Sequence, residues 1–216
     1  MTRPDPAIPL TPEGFQEISG ASDEDLERLR AYVVLLARWQ EKINLVGKAS
    51  LTDVWRRHIL DSAQLAPLIG AQTKTIADIG TGAGFPGMVL AVIGAAKGAE
   101  VHLIESNERK CAFLREVNRA TQGGVIIHNK RVEKLREVSV DLVVSRAVVP
   151  LGKLLQYANP LLKKGGQCLF LKGRKLREEL TEAQKKWIIN ESVIQSLTDS
   201  SGMILKLEEI SSRDDS

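Results

Sequence analysis

The 216-residue chain is 43% hydrophobic and carries a formal net charge of +3, which suits one main domain of about 100–200 residues with a small appendage and excludes wholesale disorder. No apolar run approaches the roughly 20 residues of a membrane span, and the proline-rich opening MTRPDPAIPLTPEGF lacks the apolar core of a signal peptide. Two cysteines, Cys111 and Cys168, supply neither a CxxC pair nor a disulfide framework, so the expectation is a cytoplasmic protein with no membrane partner.

Residues 1–20 read as a tail with little periodicity. SDEDLERLRAYVVLLARWQEKINLVG then opens with Ser22 as N-cap and three acids in the first turn, where the helix dipole favours them. Leu26, Leu29, Val33, Leu36 and Ile43 follow a 3.6-residue period, which predicts an amphipathic helix. A second helix is expected after Ser50, through LTDVWRRHILDSAQLA to Pro67. Together they make a helical cap over residues 21–72. From residue 73 to 216, strand and helix alternate. TIADI, EVHLIE, GVIIHN, VDLVVS and GGQCLFLKG read as strands, and GMVLAVIGAA, NERKCAFLREVNRAT and LGKLLQYANPLLKK as the intervening helices. WIINESVIQSLT and MILKLEEI close the chain as strands. Strands separated by helices pair in parallel with right-handed crossovers, so the predicted architecture is a three-layer α/β sandwich.

One stretch carries the chemistry. IADIGTGAGFPG, residues 76–87, fits two fingerprints. From Gly82 the spacing Gly82-x-Gly84-x-x-Gly87 is the dinucleotide pattern. From Asp78 it is Asp-x-Gly-x-Gly-x-Gly, the pattern of S-adenosylmethionine (SAM) methyltransferases. Gly80, Gly82 and Gly84 permit a tight turn that faces backbone N–H groups toward an anionic ligand group. Glu105 ends the second strand, 25 positions after Gly80, where a carboxylate accepts hydrogen bonds from both hydroxyls of a ribose. Taken alone, Glu105 reads equally as an acid capping the next helix. A nicotinamide dehydrogenase of this type needs a second, substrate-binding domain, and too little chain follows for one.

The acceptor is narrowed by what is missing. No cluster has metal-ligand spacing. His58, Asp61 and Ser62 have triad residue types but share one short helix, which fixes their geometry, and packing is the plainer role for His58, His102 and His128. The fourth strand ends in Ser145-Arg146-Ala147 rather than the Asn/Asp-Pro-Pro-aromatic motif of amino methylation. Cys111 falls in a helix and Cys168 in mid-strand, so neither is placed as the loop nucleophile of pyrimidine carbon-5 methylation. An acceptor that needs no proton abstraction remains, and guanine N7 is a bare lone pair. Charge points to a polyanion: residues 101–190 hold 18 Lys and Arg against 9 Asp and Glu. The basic groups cluster at Lys130-Arg131, Lys163-Lys164, Lys172 to Arg177 and Lys185-Lys186, and solvated helix faces are the plainer account of any one of them.

The chain resembles the ribosomal RNA small-subunit methyltransferase G family, also called glucose-inhibited division protein B. The resemblance runs in one register through W-x-x-x-x-N-L at Trp39 to Leu45, RHILDS at Arg57 to Ser62 and DIGTGAGFPG at Asp78 to Gly87. It continues through ES-x-x-RK at Glu105 to Lys110, RVE at Arg131 to Glu133, SRAV at Ser145 to Val148 and KG at Lys172-Gly173. Met88-Val89 departs from the family's usual residues, and the match weakens after Lys175. The resemblance implies a Rossmann-like SAM-dependent methyltransferase fold with a mostly parallel seven-stranded sheet, SAM as cofactor with S-adenosylhomocysteine as product, and no metal. It implies transfer to N7 of a guanine in the 530 loop of 16S ribosomal RNA. The partner is then that RNA, the 30S subunit or its precursor, with no protein partner required. The candidate cofactor residues are Asp78, Gly80, Gly82, Gly84, Phe85, Glu105, Val132, Glu133 and Arg146. Phe85 walls the pocket or merely packs. Arg146 is the candidate catalytic residue, holding the guanine or its phosphate, with a salt bridge to Asp78 or Glu133 as the plainer alternative. Lys130, Arg131, Lys172, Arg174 and Lys175 are the candidate RNA contacts. A non-catalytic RNA-binding or nucleotide-sensing module with a relic fold, and a methyltransferase acting on another RNA, a small molecule or a protein, are the competing readings.

Overall fold

A computed structural model describes residues 3–95, 98–146 and 149–213. The expected tail is not featureless. Helix α1 spans Pro12–Ser19, with Thr11 accepting from the Gly14 amide as N-cap and Gly20 ending it in left-handed backbone. Its Phe15 is buried against Trp55. Helix α2, Asp23–Gln40, starts at the expected Ser22 cap and buries Leu26, Leu29, Tyr32 and Leu36. It stops three residues short of Ile43. The second cap helix is not one α-helix. It runs as a 3₁₀ segment Lys48–Asp53, a π-helical turn Trp55–Leu60, a short α3 at Asp61–Ala63 and a 3₁₀ turn Ala66–Leu68.

The remaining elements are β1 (Thr75–Ile79), α4 (Gly87–Val92), β2 (Glu100–Ile104), α5 (Glu108–Thr121), β3 (Ile126–His128), β4 (Val140–Ser145) and α6 (Leu151–Ala158). They continue with β5 (Leu162–Lys172), α7 (Leu176–Gln184), β6 (Trp187–Gln195) and β7 (Met203–Ser212). Two differ from the sequence reading. The helix expected through Leu162-Lys163-Lys164 stops at Ala158, because β5 already starts at Leu162 opposite Val140 and crosses Gly165-Gly166 with a register shift. Over Leu176–Gln184, where the sequence reading has only a basic cluster, α7 forms, its first-turn acids Glu178 and Glu179 suiting the helix dipole. No described helix is long and apolar enough to cross a membrane.

The seven strands lie in the order β3-β2-β1-β4-β5-β7-β6. The pairs from β3 to β5 are parallel, and β7 is antiparallel to both its neighbours. Period-two alternation builds a core on each face. Ile76, Leu142, Val144 and Leu169 join Leu29, Tyr32, Met88 and Phe113 on one side. Ala77, Ile79, Val143, Cys168 and Phe170 join Leu151, Leu155 and Trp187 on the other. The first core is continuous from the cap to the sheet, since Phe15, Leu36 and Ile59 belong to it with Ile76 and Leu103. Strand order reverses between β1 and β4, so a crevice opens at their carboxyl ends.

Candidate active site

Asp78 shapes the loop after β1. Its Oδ2 accepts from the Thr81 hydroxyl at 2.5 Å and from the Gly87 amide at 2.8 Å, folding the loop back onto its own strand. Burial pushes its carboxyl up to about 6, against those two hydrogen bonds. Gly80, Gly82 and Gly84 have φ of 65°, 58° and 94°, backbone that favours glycine. Gly84 is also a close approach, because a Cβ there would meet Tyr32 Oη at 2.4 Å. Tyr32 in turn donates to the Ala83 carbonyl, so α2 clamps the loop from the cap side.

Glu105 stands at the carboxyl end of β2. Its Oε2 accepts from Gly82 N at 3.2 Å and its Oε1 from Asn107 N at 2.7 Å. It therefore ties the glycine loop to the α5 entrance, and each oxygen keeps acceptor capacity for a further donor. Gly80, Glu105, Val132 and Glu133 line one cavity of about 170 Å³. The 3₁₀ turn Val132–Lys134 brings the last two there. A hydrogen bond from its own backbone amide, with burial opposing, holds the exposed Glu133 carboxyl below its ordinary range. Asp78 and Phe85 lie beneath the loop instead. Phe85, 2% exposed, is stacked between Tyr32 at 5.3 Å and His58 at 4.9 Å.

A second cavity, about 520 Å³, opens at the carboxyl ends of β4 and β5. Arg146 enters it from the end of β4, its guanidinium 4.9 Å from the Phe85 ring centroid, a cation–π distance. Its Nη1 donates to the Arg57 carbonyl at 2.9 Å and faces Asp61 Oδ2 at 3.5 Å. The acid beside Arg146 is thus Asp61, from the RHILDS segment, and not Asp78 or Glu133. Asp61 Oδ1 accepts from Thr198 Oγ1 at 2.5 Å and Gln64 Nε2 at 2.9 Å. Burial raises its carboxyl above the ordinary range, with Arg146 and the Thr198 hydrogen bond opposing. The loop between β6 and β7 reaches the same place: Arg57 pairs with Asp199 at 3.0 Å, and Gln64 Oε1 accepts from Leu197 N at 2.8 Å.

No nucleophile triad forms. Ser62 donates to the His58 carbonyl one turn back, and Asp61 turns to Arg146 and Thr198. His58 Nε2 meets Ser50 Oγ at 2.7 Å. Burial first, then Arg146 and Arg57, push the His58 imidazole down to about 3, so it is neutral at physiological pH. Both cysteines are buried, and burial raises the thiol pKa of each.

The basic clusters do not form one face. Arg174 and Lys175 are exposed on the Arg146 cavity, and Lys130 and Arg131 are exposed on the smaller one. Lys172 departs from the expectation of a solvent-facing contact: its side chain is 5% exposed and pairs with Glu179 at 2.6 Å. Lys163 and Lys164 sit at the opposite end of β5, where Lys163 pairs with Asp141. The residues Ala147 and Val148 of the SRAV motif lie outside the described residues. Sequence reasoning missed Arg57 and Asp61 as cavity residues, although both stand in RHILDS. It also missed Thr198 and Asp199, whose signal is only the turn-like composition of SLTDSSGM.

The family model described as rRNA small subunit methyltransferase G matches residues 25–207. A relative in Paramagnetospirillum magneticum named ribosomal RNA small subunit methyltransferase G is 52% identical over 202 residues, 94% of this chain and 97% of its own length. One of the same name in Rhodospirillum rubrum is 47% identical, over 93% of this chain and 98% of its own. Among solved structures, an Aquifex aeolicus SAM dependent methyltransferase superposes with a TM-score of 0.57 at 16% identity, covering 74% of this chain and 95% of that one. That likeness shows the fold.

Proposed function

The chain belongs to the rRNA small subunit methyltransferase G family, and from that premise we propose that it methylates N7 of a guanine in the 530 loop of 16S ribosomal RNA, with SAM as donor, in the cytoplasm. The observation that carries the reading is the pairing of two cavities at one edge of the sheet, the smaller under Glu105 and the larger under Arg146. The smaller fits an adenosine. Glu105 offers both carboxylate oxygens to a ribose, Val132 and Ile104 give apolar walls, and the left-handed Gly80 removes a side chain from the approach. When bound, SAM supplies a methyl group already activated on a cationic sulfonium.

This chain's residues then orient and exclude water. Holding two reactants in line accounts for about 7–11 kcal/mol of a barrier. Asp78, Tyr32 and Phe85 act from below by fixing the loop. Arg146, held by the Phe85 face, the Arg57 carbonyl and Asp61, presents its guanidinium to the base. Arg174 and Lys175, with Arg57, offer cations to the neighbouring phosphates. No side chain needs to accept a proton, since N7 carries none, and the neutral, enclosed His58 agrees with that. Residues 21–72 form the cap and 73–216 the methyltransferase domain in this reading.

The test is transfer of tritiated methyl from SAM to unmodified small-subunit RNA, followed by borohydride and aniline, which cleave at 7-methylguanosine. Cleavage at one guanosine of the 530 loop is expected. Methyl transfer without cleavage at any guanosine would overturn the N7 assignment.

A further inference from the structure

The larger cavity holds three acids, Asp61, Glu179 and Asp199. Two are committed elsewhere. Asp199 accepts from Ser201 N and Oγ through one oxygen and pairs with Arg57 through the other. Glu179 takes both Lys172 Nζ and Leu151 N on Oε2, which makes it the counter-ion of the buried Lys172 and ties it to the α6–α7 packing. Asp61 differs. Its Oδ1 is saturated by Thr198 and Gln64, whereas its Oδ2 meets, among the described residues, only Arg146 Nη1 at 3.5 Å. The cavity therefore presents a guanidinium donor and an under-used carboxylate acceptor side by side.

We propose that Arg146 and Asp61 together read the Watson–Crick edge of the target guanine, Arg146 donating to O6 and Asp61 Oδ2 accepting from N1–H and the N2 amino group. This rests on the reading of guanine as the acceptor base. That edge runs acceptor, donor, donor; adenine runs donor, acceptor, and meets both side chains with the wrong sign. N7 lies on the other edge of the purine, so a base pinned through N1 and N2 leaves its reacting lone pair unobstructed. Asp61 is then a specificity-determining residue, and discrimination comes from leaving buried polar groups unpaired against the wrong base.

The anchoring of Oδ1 gives a distinctive test. In Asp61→Asn, Thr198 Oγ1 and Gln64 Nε2 both donate and so retain the amide oxygen. The amide nitrogen then takes the Oδ2 position and turns an acceptor into a donor. Wild type, Asp61→Asn and Asp61→Ala are assayed on small-subunit RNA whose target guanosine is replaced by inosine, which lacks the N2 amino group, or by 2,6-diaminopurine, which presents N1 as an acceptor. Wild type is expected to lose at least tenfold on inosine and more on 2,6-diaminopurine. In Asp61→Asn the preference for guanosine over 2,6-diaminopurine should fall at least tenfold, and in Asp61→Ala the preference for guanosine over inosine should approach one. SAM affinity and melting temperature in the two variants monitor the fold. Equal losses on all three bases in both variants would make Asp61 a support for Arg146 only and overturn the proposal. Wild type that uses guanosine, inosine and 2,6-diaminopurine alike would overturn it while leaving the guanine reading intact. Wild type that methylates no guanosine would overturn both.

Discussion

The two halves of the proposed site, one for cofactor and one for substrate, are built in opposite ways. The cofactor half is local: Asp78 to Gly87 is one uninterrupted turn, shaped by three left-handed glycines and a buried carboxylate three to nine residues from its partners. The substrate half is assembled from distant pieces, the π-helical turn 55–60, the end of β4, and the β6–β7 loop, joined by Arg146–Asp61, Arg57–Asp199 and Thr198–Asp61. A turn held by covalent continuity and close packing tolerates little change in shape. A cavity joined by side-chain pairs between separate elements tolerates more; the partly exposed Arg57–Asp199 pair contributes only about 0–1 kcal/mol. The first half should therefore fail through stability and the second through chemistry.

The sharpest break of the cofactor half is Gly84→Ala. The new Cβ would lie 2.4 Å from Tyr32 Oη and 3.0 Å from Met88 Cβ, at a φ of +94°. Overpacking and left-handed strain together cost about 2–5 kcal/mol, and scanning calorimetry should register a melting temperature lower by roughly 10 °C. A shift under 2 °C would show that the loop is soft. Arg146→Lys is the counterpart in the substrate half. A lysine keeps the charge but not the planar fork over Phe85, so turnover should fall about 100-fold, near 2.7 kcal/mol. The melting temperature should move little. A large thermal shift with normal turnover would reverse the comparison.

Between these lies the pH behaviour of Asp78. Its folded pKa of about 6 stands above the ordinary 3.8 because burial penalises the charge. The folded state binds the proton more tightly than the unfolded chain, so the contribution of this group is present at low pH and lost as pH rises through about 6. Asp78→Asn cannot titrate. The melting temperature of wild type minus that of the variant, both without cofactor, should therefore fall from pH 4.5 to 7.5, by the equivalent of roughly 2 kcal/mol. A constant difference would mean that water reaches the carboxylate.

Glu105→Gln tests the cofactor half at its rim. The variant keeps its shape but loses the charge that strengthens hydrogen bonds to ribose hydroxyls, and calorimetric titration should show SAM and S-adenosylhomocysteine both weakened about tenfold, near 1.4 kcal/mol. Unchanged affinity would remove Glu105 from the cofactor contacts.

The same contrast explains what sequence reasoning reaches. Each strand that lines the site is a short, largely apolar run, and the glycine loop and Glu105 sit at fixed distances along the chain, so the sheet and the shape of the loop are readable locally. Helix α1 falls in what the sequence reading takes as a tail, although Thr11, Pro12, Glu13 and Gly20 are ordinary start and stop signals. The π-helical turn was not legible: no residue pattern separates WRRHIL from an α-helix, and the i−5 hydrogen bond from Asp61 N to the Arg56 carbonyl appears only once α3 and the sheet fix its position. Asp61 beside Arg146 spans 85 residues, and Asp61 to Thr198 spans 137. Such pairs depend on packing between elements, and charge counting misled in the same way, merging Lys163 at the far end of β5 with Arg174 at the site.

That misreading supplies the smallest and most discriminating prediction. If charge alone positioned RNA, any two lysines or arginines of the central surplus would serve equally. The structure separates them: Arg174 and Lys175 rim the Arg146 cavity, while Lys163 and Lys164 line a depression with Glu209 at the opposite end of β5. Each phosphate contact on single-stranded RNA contributes about 0.7 to the slope of log affinity against log salt. Replacing Arg174 and Lys175 by alanine should therefore flatten the slope by up to ~1.4, with SAM affinity unchanged, because neither lines the smaller cavity. Replacing Lys163 and Lys164 should leave the slope close to that of wild type, because exposed charges more than a Debye length from the bound RNA are largely screened. Filter binding across a salt series measures both. Equal flattening by the two pairs would mean that RNA wraps both ends of the sheet, and the substrate half would then extend well beyond the cavity that Arg146 enters.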